Sequence, residues 1–163
     1  MNNFRIEIRY AVLSGLLMLL WLATGFMIGL QDEPLIIYHN YLTLFILLIL
    51  LFVCIRLAIR DKAETLNGKL NFKEAFITGF LLSFFAAVLS VPCQIIFHKL
   101  INPDFFDTMI STLIHRATDA NKARAEAEMY INLTSHIVQS GLETLVIGTL
   151  ITAALAWRIN TKE

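Results

Sequence analysis

Along the chain, long uncharged stretches alternate with short charged ones. From Tyr10 to Leu30 there is no Asp, Glu, Lys or Arg, and at about 1.5 Å of rise per residue one helix of that length crosses the roughly 30 Å hydrocarbon layer of a bilayer. Three further stretches, about 41–59, 75–97 and 137–157, are each near the length of about 20 residues that a spanning helix needs. The pattern predicts an all-α polytopic membrane protein: one integral domain over 1–163 with spans at about 10–30, 41–59, 75–97 and 137–157, forming a four-helix bundle. Arg5 and Arg9 precede the first stretch, as they would in a cleaved signal peptide. That stretch is too long for a signal core and no A-x-A pattern follows, so it reads as an uncleaved span.

The polar connections carry their own helix signals. In RDKAETLNGKLNFKEAF the chain turns at Asn67-Gly68, and Asn71 with Glu74 forms a capping-box start for the third helix. Phe72 and Phe76 suit the membrane interface, with Lys73 reaching toward headgroups. The long connection INPDFFDTMISTLIHRATDANKARAEAEMY begins with Asn102 as a helix cap and Pro103 at the first helical position. Phe106, Met109, Ile110, Leu113 and Ile114 then make one apolar helical face. A break follows near Asp119-Ala120-Asn121. From about Lys122, with Arg124 and Glu128 at i,i+4, the pattern is helical again and runs on into the fourth span. An outward-facing helical hairpin at about 102–136 is therefore expected between the third and fourth spans, capping the bundle or gating a ligand. Asn132-Leu133-Thr134 fits the short N-glycosylation pattern.

Composition agrees with the pattern, at 57% hydrophobic and 16% charged residues, and the net charge of zero argues neither for nucleic acid, which is not expected as a partner, nor for an acidic partner. The distribution of charge predicts orientation. Arg5 and Arg9, then Arg60, Lys62, Lys69 and Lys73, then Arg158 and Lys162 lie at one end of the spans, whereas the first connection, QDEPLIIYHN, has no Lys or Arg. By the positive-inside rule both termini and the second connection are cytoplasmic. The third connection carries Lys99, Arg116, Lys122 and Arg124, but at lower density. Cys54 and Cys93 fall at opposite depths, too far apart for a disulfide, and read as packed thiols.

Several short motifs in fixed order resemble a known family. They are Arg60-Asp61-Lys62, Gly68-Lys69 with Phe72, Ala75, Phe76 and Gly79, Asn102-Pro103-Asp104-Phe105-Phe106, and Glu126-Ala127-Glu128-Met129-Tyr130. Across essentially the whole chain the sequence is similar to the domain-of-unknown-function 4199 family of small bacterial four-helix membrane proteins. The resemblance implies a bacterial inner-membrane location and supplies no activity, cofactor or catalytic residue.

Candidate chemistry centres on Glu143 in SGLETLVIG. A carboxylate in the outer half of a span costs up to about 2.5–3.5 kcal/mol unless it is neutralised, paired or wet, so it marks a candidate site. Gln139 and His136 share its face at i−4 and i−7. On the antiparallel third helix Ser83, Ser90, Gln94 and His98 lie on one face, with Gln94 and His98 at comparable depth, and His39 and Asn40 enter the second span on the same side. Glu143, Gln139, His136, Gln94 and His98 thus form a candidate intramembrane polar site. Either Glu143 handles a proton or cation there, or a neutral Glu143 hydrogen-bonds Gln94 to hold the third helix to the fourth. No H-E-x-x-H or close His pair occurs, so no metal site is assigned.

Pro92 bends the third span, and Arg56 snorkels beside Arg60 as an anchor. Small residues mark helix-packing stripes: Ala11, Gly15, Gly25 and Gly29 on the first span, and Gly141, Thr144, Gly148 and Thr152 on the fourth. The G-x-x-x-G at Gly25 and Gly29 also suits a homodimer. There is no G-x-S-x-G, P-loop, C-x-x-C or zinc-protease motif, so a non-enzyme without cofactors is expected. The bilayer is its first partner. The leading functional expectation is a structural or adaptor protein that contacts a membrane-protein partner, and the rival is a small proton- or cation-handling protein using Glu143.

Overall fold

A computed structural model describes residues 4–160, so Lys162 of the charge pattern lies outside the described residues. The chain forms α1 (Arg5–Met27), α2 (Ile36–Thr65), α3 (Phe72–Ile96) continued by a π-helical turn (Phe97–Ile101), α4 (Phe105–Arg116), α5 (Ala120–Tyr130) and α6 (Leu133–Asn160). No strand occurs among the described residues. Four helices, α1, α2, α3 with its π turn, and α6, are long and apolar enough to cross a membrane. Their outward faces carry exposed Leu16, Leu20, Leu48, Val88 and Leu150, as lipid-facing surfaces do.

Helix ends differ from the hydropathy pattern wherever capping geometry decides them. α1 stops at Met27 because Gly29 adopts φ 75°. Leu30 N–H then reaches Gly25 O at 2.9 Å and Gly29 N–H reaches Phe26 O at 3.1 Å, a Schellman cap. α2 is longer than its apolar stretch, since RDKAET stays helical with an Arg60–Glu64 pair at i,i+4. It closes with the same motif at Asn67 (φ 52°) and Gly68. The capping box at Asn71 and Glu74 is present with both bonds made.

α3 is the central helix and packs against α6, α1 and α2. Its seam with α6 is built from small residues in antiparallel register: Gly79 faces Thr152 and Ser83 faces Gly148. Ala75, Ala86 and Ala156 are buried beside it. On the α1 stripe Gly25 lies against the His39 ring inside the same chain, and Gly29 lies beyond the helix. Gly141 meets only Ala87 O, at ordinary contact distance.

At the end carrying the termini, Glu7 is almost fully buried and paired with Lys62 Nζ at 3.0 Å. Tyr10 donates to Asp61 at 2.7 Å. At the opposite end, two expectations are corrected. Asn102 does not cap α4, whose N-cap is Asp104 without a side-chain bond. The Asn102 amide is instead buried and donates to Gln31 Oε1 at 2.7 Å, because the π turn carries it into the bundle. Nor does α5 run into α6. The chain breaks at Ile131-Asn132, where Asn132 Oδ1 accepts from Ser135 N–H at 3.0 Å and starts a new helix.

α4 lays Phe105 and Met109 into a cluster with Leu22, Ile36 and Phe97, with Phe106 and Leu113 packed against it. Its other side is tied to the α1–α2 connection. The Ser111 hydroxyl and His115 Nδ1 meet the Glu33 carboxylate, and Arg116 donates to Pro34 O at 3.3 Å. The Ser111 hydroxyl first, and His115 after it, hold the Glu33 carboxyl below the usual glutamate range. A carboxyl lowered by folding stabilises its contact above the unfolded value, and that contribution disappears as pH falls through the folded one. Amide exchange of α4 is therefore expected to speed up relative to the intrinsic rate below about pH 4. Glu33→Gln should show faster exchange already at neutral pH with little further change on acidification, and identical profiles in the two proteins would refute the latch.

Candidate functional site

Where α3 ends, the backbone widens into the π turn, with Asn102 N–H on Phe97 O at 2.8 Å. Such turns re-aim side chains and are common at functional sites. Here the turn directs His98 inward. Its ring is 4% exposed and stands among Phe105 (4.6 Å between centroids), Phe106 (4.7 Å) and His136 (5.0 Å). Among the described residues neither ring nitrogen has a hydrogen-bond partner, and neither does Gln94 Oε1, one turn below. Buried polar atoms without partners are uncommon, which sets this pair apart from the rest of the bundle.

These groups face a cavity of about 360 Å³ between α1, α2, α3, α4 and α6. The five residues singled out in the sequence, Glu143, Gln139, His136, Gln94 and His98, all line it. Ser90 and Asn40 line it as well. Ser83 does not, because it is spent on the α6 seam, and neither do His39 and His115. His39 is buried beside Gln31 and stacks on Trp21 at 5.7 Å. That second polar cluster, Gln31, His39 and Asn102, braces the neighbouring wall through Gln31 Nε2 on Leu22 O at 2.9 Å.

Glu143 stands at the edge of this cavity. It is half-buried at the cavity rim and also borders a shallow outer pocket with Thr134, Ser135, Val138 and Leu142. Its hydrogen bond comes from Gln139 Nε2 on its own helix, at 2.8 Å, and none joins it to Gln94. The interhelical bond that would have made Glu143 a structural clasp is therefore absent. Helix spacing explains the rim position: Val138, Leu142 and Val146 on the adjoining stripe of α6 all face outward.

Sequence reasoning missed several lining residues. Ser140 and Thr144 continue the His136 and Glu143 stripe at helical spacing, and so were readable. Tyr41, Tyr130, Phe105 and Phe106 carry no signal of a shared wall, since they come from three distant helices. Among the described residues no group of three or more His, Cys, Asp or Glu side chains is placed to hold a metal ion. Cys54 and Cys93 are free thiols.

Four apolar spanning helices around a partly polar cavity define a multi-pass helical membrane protein. The chain belongs to the family of proteins of unknown function DUF4199, which it matches over residues 9–161. No curated protein and no solved structure matches it.

Proposed function

We propose that this is a small bacterial inner-membrane protein, both termini cytoplasmic, that binds a cation in the cavity and handles it through Glu143. The observation that carries the reading is the composition of the lining: Glu143 is its one carboxylate, and no Lys or Arg lines the cavity. A wall with a carboxylate and no Lys or Arg favours cations over anions. The volume favours an organic ammonium over a bare ion, being in the range of small-molecule sites. Tyr41, Phe105, Phe106 and Tyr130 add aromatic rings to the same lining, a composition that suits such a cation. Gln94 Oε1 and the His98 nitrogens supply neutral hydrogen-bonding groups without protein partners.

The adaptor alternative, motivated by an outward hairpin and the lack of catalytic motifs, is less well supported, because Phe105 and Met109 of α4 pack on the chain's own bundle. The orientation rests on the positive-inside distribution of Lys and Arg.

The test uses purified protein in nanodiscs with tetraethylammonium and benzyltrimethylammonium as probes. Binding should be measurable for wild type and at least about tenfold weaker for Glu143→Gln, the size expected for losing a charge-assisted contact. A parallel liposome assay with an internal pH dye compares wild type and Glu143→Gln under an imposed proton or probe gradient. Equal binding by the two proteins, together with background flux in both, would remove the cation reading.

A further inference from the structure

The cavity is framed by α2 on one side, through Asn40, Tyr41 and Leu44, and by α6 on another, through Gln139 and Glu143. Deeper in the bundle the same two helices converge, since Ile55 of α2 and Thr152 of α6 both stand against the Cβ position of Gly79. α2 and α6 thus close over α3 in one half of the bundle and frame the cavity in the other. The frame is open to the side. Tyr41 and Leu44 line the cavity and yet are 72% and 42% exposed. On the α6 edge, Gln139 and Glu143 belong both to the cavity and to the outer pocket, where Val138 and Leu142 are exposed. The Gln139 bond to Glu143 holds the carboxylate at that edge. Leu44, Val138 and Leu142 lie on helices long and apolar enough to cross a membrane, so their exposed side chains suit acyl chains rather than water. Tyr41 suits the headgroup level, where such rings collect.

We propose, building on the cation reading above, that the cavity opens sideways into the outer leaflet and that its ligand is a single-chain amphiphile with an ammonium head. The head sits beside Glu143 in the cavity, and the tail leaves past Gln139 over Val138 and Leu142. The polar cavity and the apolar pocket are continuous through Gln139 and Glu143, so the site changes from polar to apolar where such a molecule does. A small soluble cation would leave the apolar pocket without a ligand contact. Entry from the bilayer also raises the local ligand concentration, because each buried CH₂ strengthens partitioning. A zwitterionic phospholipid fits less well. Its phosphodiester would follow the ammonium into the neighbourhood of Glu143, and among the described residues neither lining has a Lys or Arg to pair with it.

The test is displacement of benzyltrimethylammonium from the full chain in nanodiscs of an uncharged diacyl glycolipid. In wild type, dodecyltrimethylammonium should displace the probe at a concentration at least about tenfold below that of butyltrimethylammonium. Val138→Trp and Leu142→Trp each place a ring in the outer pocket, at lipid-facing positions. Both should raise the dodecyl concentration required by at least about fivefold, by crowding the tail, and leave probe binding and butyl displacement unchanged. Leu150→Trp, exposed on the same helix but outside that pocket, should alter none of these. Equal dodecyl displacement in wild type and both pocket variants overturns the proposal, as does an equal rise in Leu150→Trp, which would report altered partitioning only. Replacing part of the glycolipid by phosphatidylethanolamine should not weaken probe binding, and a loss there would overturn the single-chain assignment in favour of a phospholipid. Probe binding that needs Glu143 but is insensitive to the dodecyl compound would overturn the lateral opening and leave the cation reading standing. Probe binding equal in wild type and Glu143→Gln would remove both.

Discussion

Gly148→Val is expected to prevent the bundle from assembling. A Cβ at Gly148 would lie 2.2 Å from Ser83 Oγ and 2.6 Å from Ser83 Cβ. The hydroxyl could rotate away only by giving up its bond to Gly79 O at 2.8 Å, and the Cβ cannot move without the α3 backbone. One turn along, Gly79 stands against Thr152 in the same way, so the helices cannot separate at one point without opening the other. Overpacking of this kind costs typically about 1–3 kcal/mol and sometimes more. It is set against a gain in helix propensity of no more than about 1 kcal/mol. With no water to expel between spanning helices, close packing supplies much of their association, which leaves little reserve. Gly148→Val should lose the monodisperse peak in detergent size exclusion, and Gly148→Ala should lower the unfolding midpoint clearly. Gly141→Ala, whose new Cβ would meet only Ala87 O at 3.9 Å, should be neutral or mildly stabilising. A Gly148→Val protein as stable as wild type would show that the seam does not hold α3 to α6.

The second large effect is expected at the buried ion pair. Lys62→Met leaves the Glu7 carboxylate, 2% exposed in its side chain, without its only partner among the described residues. Breaking a buried pair from one side costs about 3–5 kcal/mol, because the remaining charge has lost both water and its counter-ion. Removing both groups has a different sign. Glu7→Leu with Lys62→Met should be near neutral or stabilising, since the desolvation cost of both charges disappears with the pair. The neighbouring Tyr10–Asp61 bond is an independent tie between the same two helices and should keep the double variant in register. Thermal unfolding of the two singles and the double measures the coupling. A Lys62→Met midpoint equal to that of wild type would mean that Glu7 is solvated and the pair structurally idle.

The five polar residues of the candidate site show how far a sequence can be read. Glu143, Gln139 and His136 recur at helical spacing, and Gln94 and His98 do so on an antiparallel neighbour, so their sharing of one cavity followed from periodicity and depth. Their bonding did not follow. Whether Glu143 reaches Gln94 depends on how α6 is rotated against α3, which the packing of Gly148 and Thr152 sets, whereas its bond from Gln139 lies within α6. Asn102 teaches the same lesson in reverse. It has every local property of a helix cap, yet the π turn before it moves its amide onto Gln31.

The sequence by itself determined that this is an all-α chain with four membrane-spanning helices. It also determined the capping box at Asn71, the turn at Asn67-Gly68 and the stripes of small and polar residues, because hydropathy, capping and helical periodicity act over a few residues and need no partner. Tertiary structure alone decided that Gly25 serves His39 within the chain, that Glu7 meets Lys62, and that Glu33 ties down α4. Those contacts join residues far apart in the chain. They depend on the relative rotation and close approach of whole helices, which is set by the sum of many small packing energies and is written at no single position.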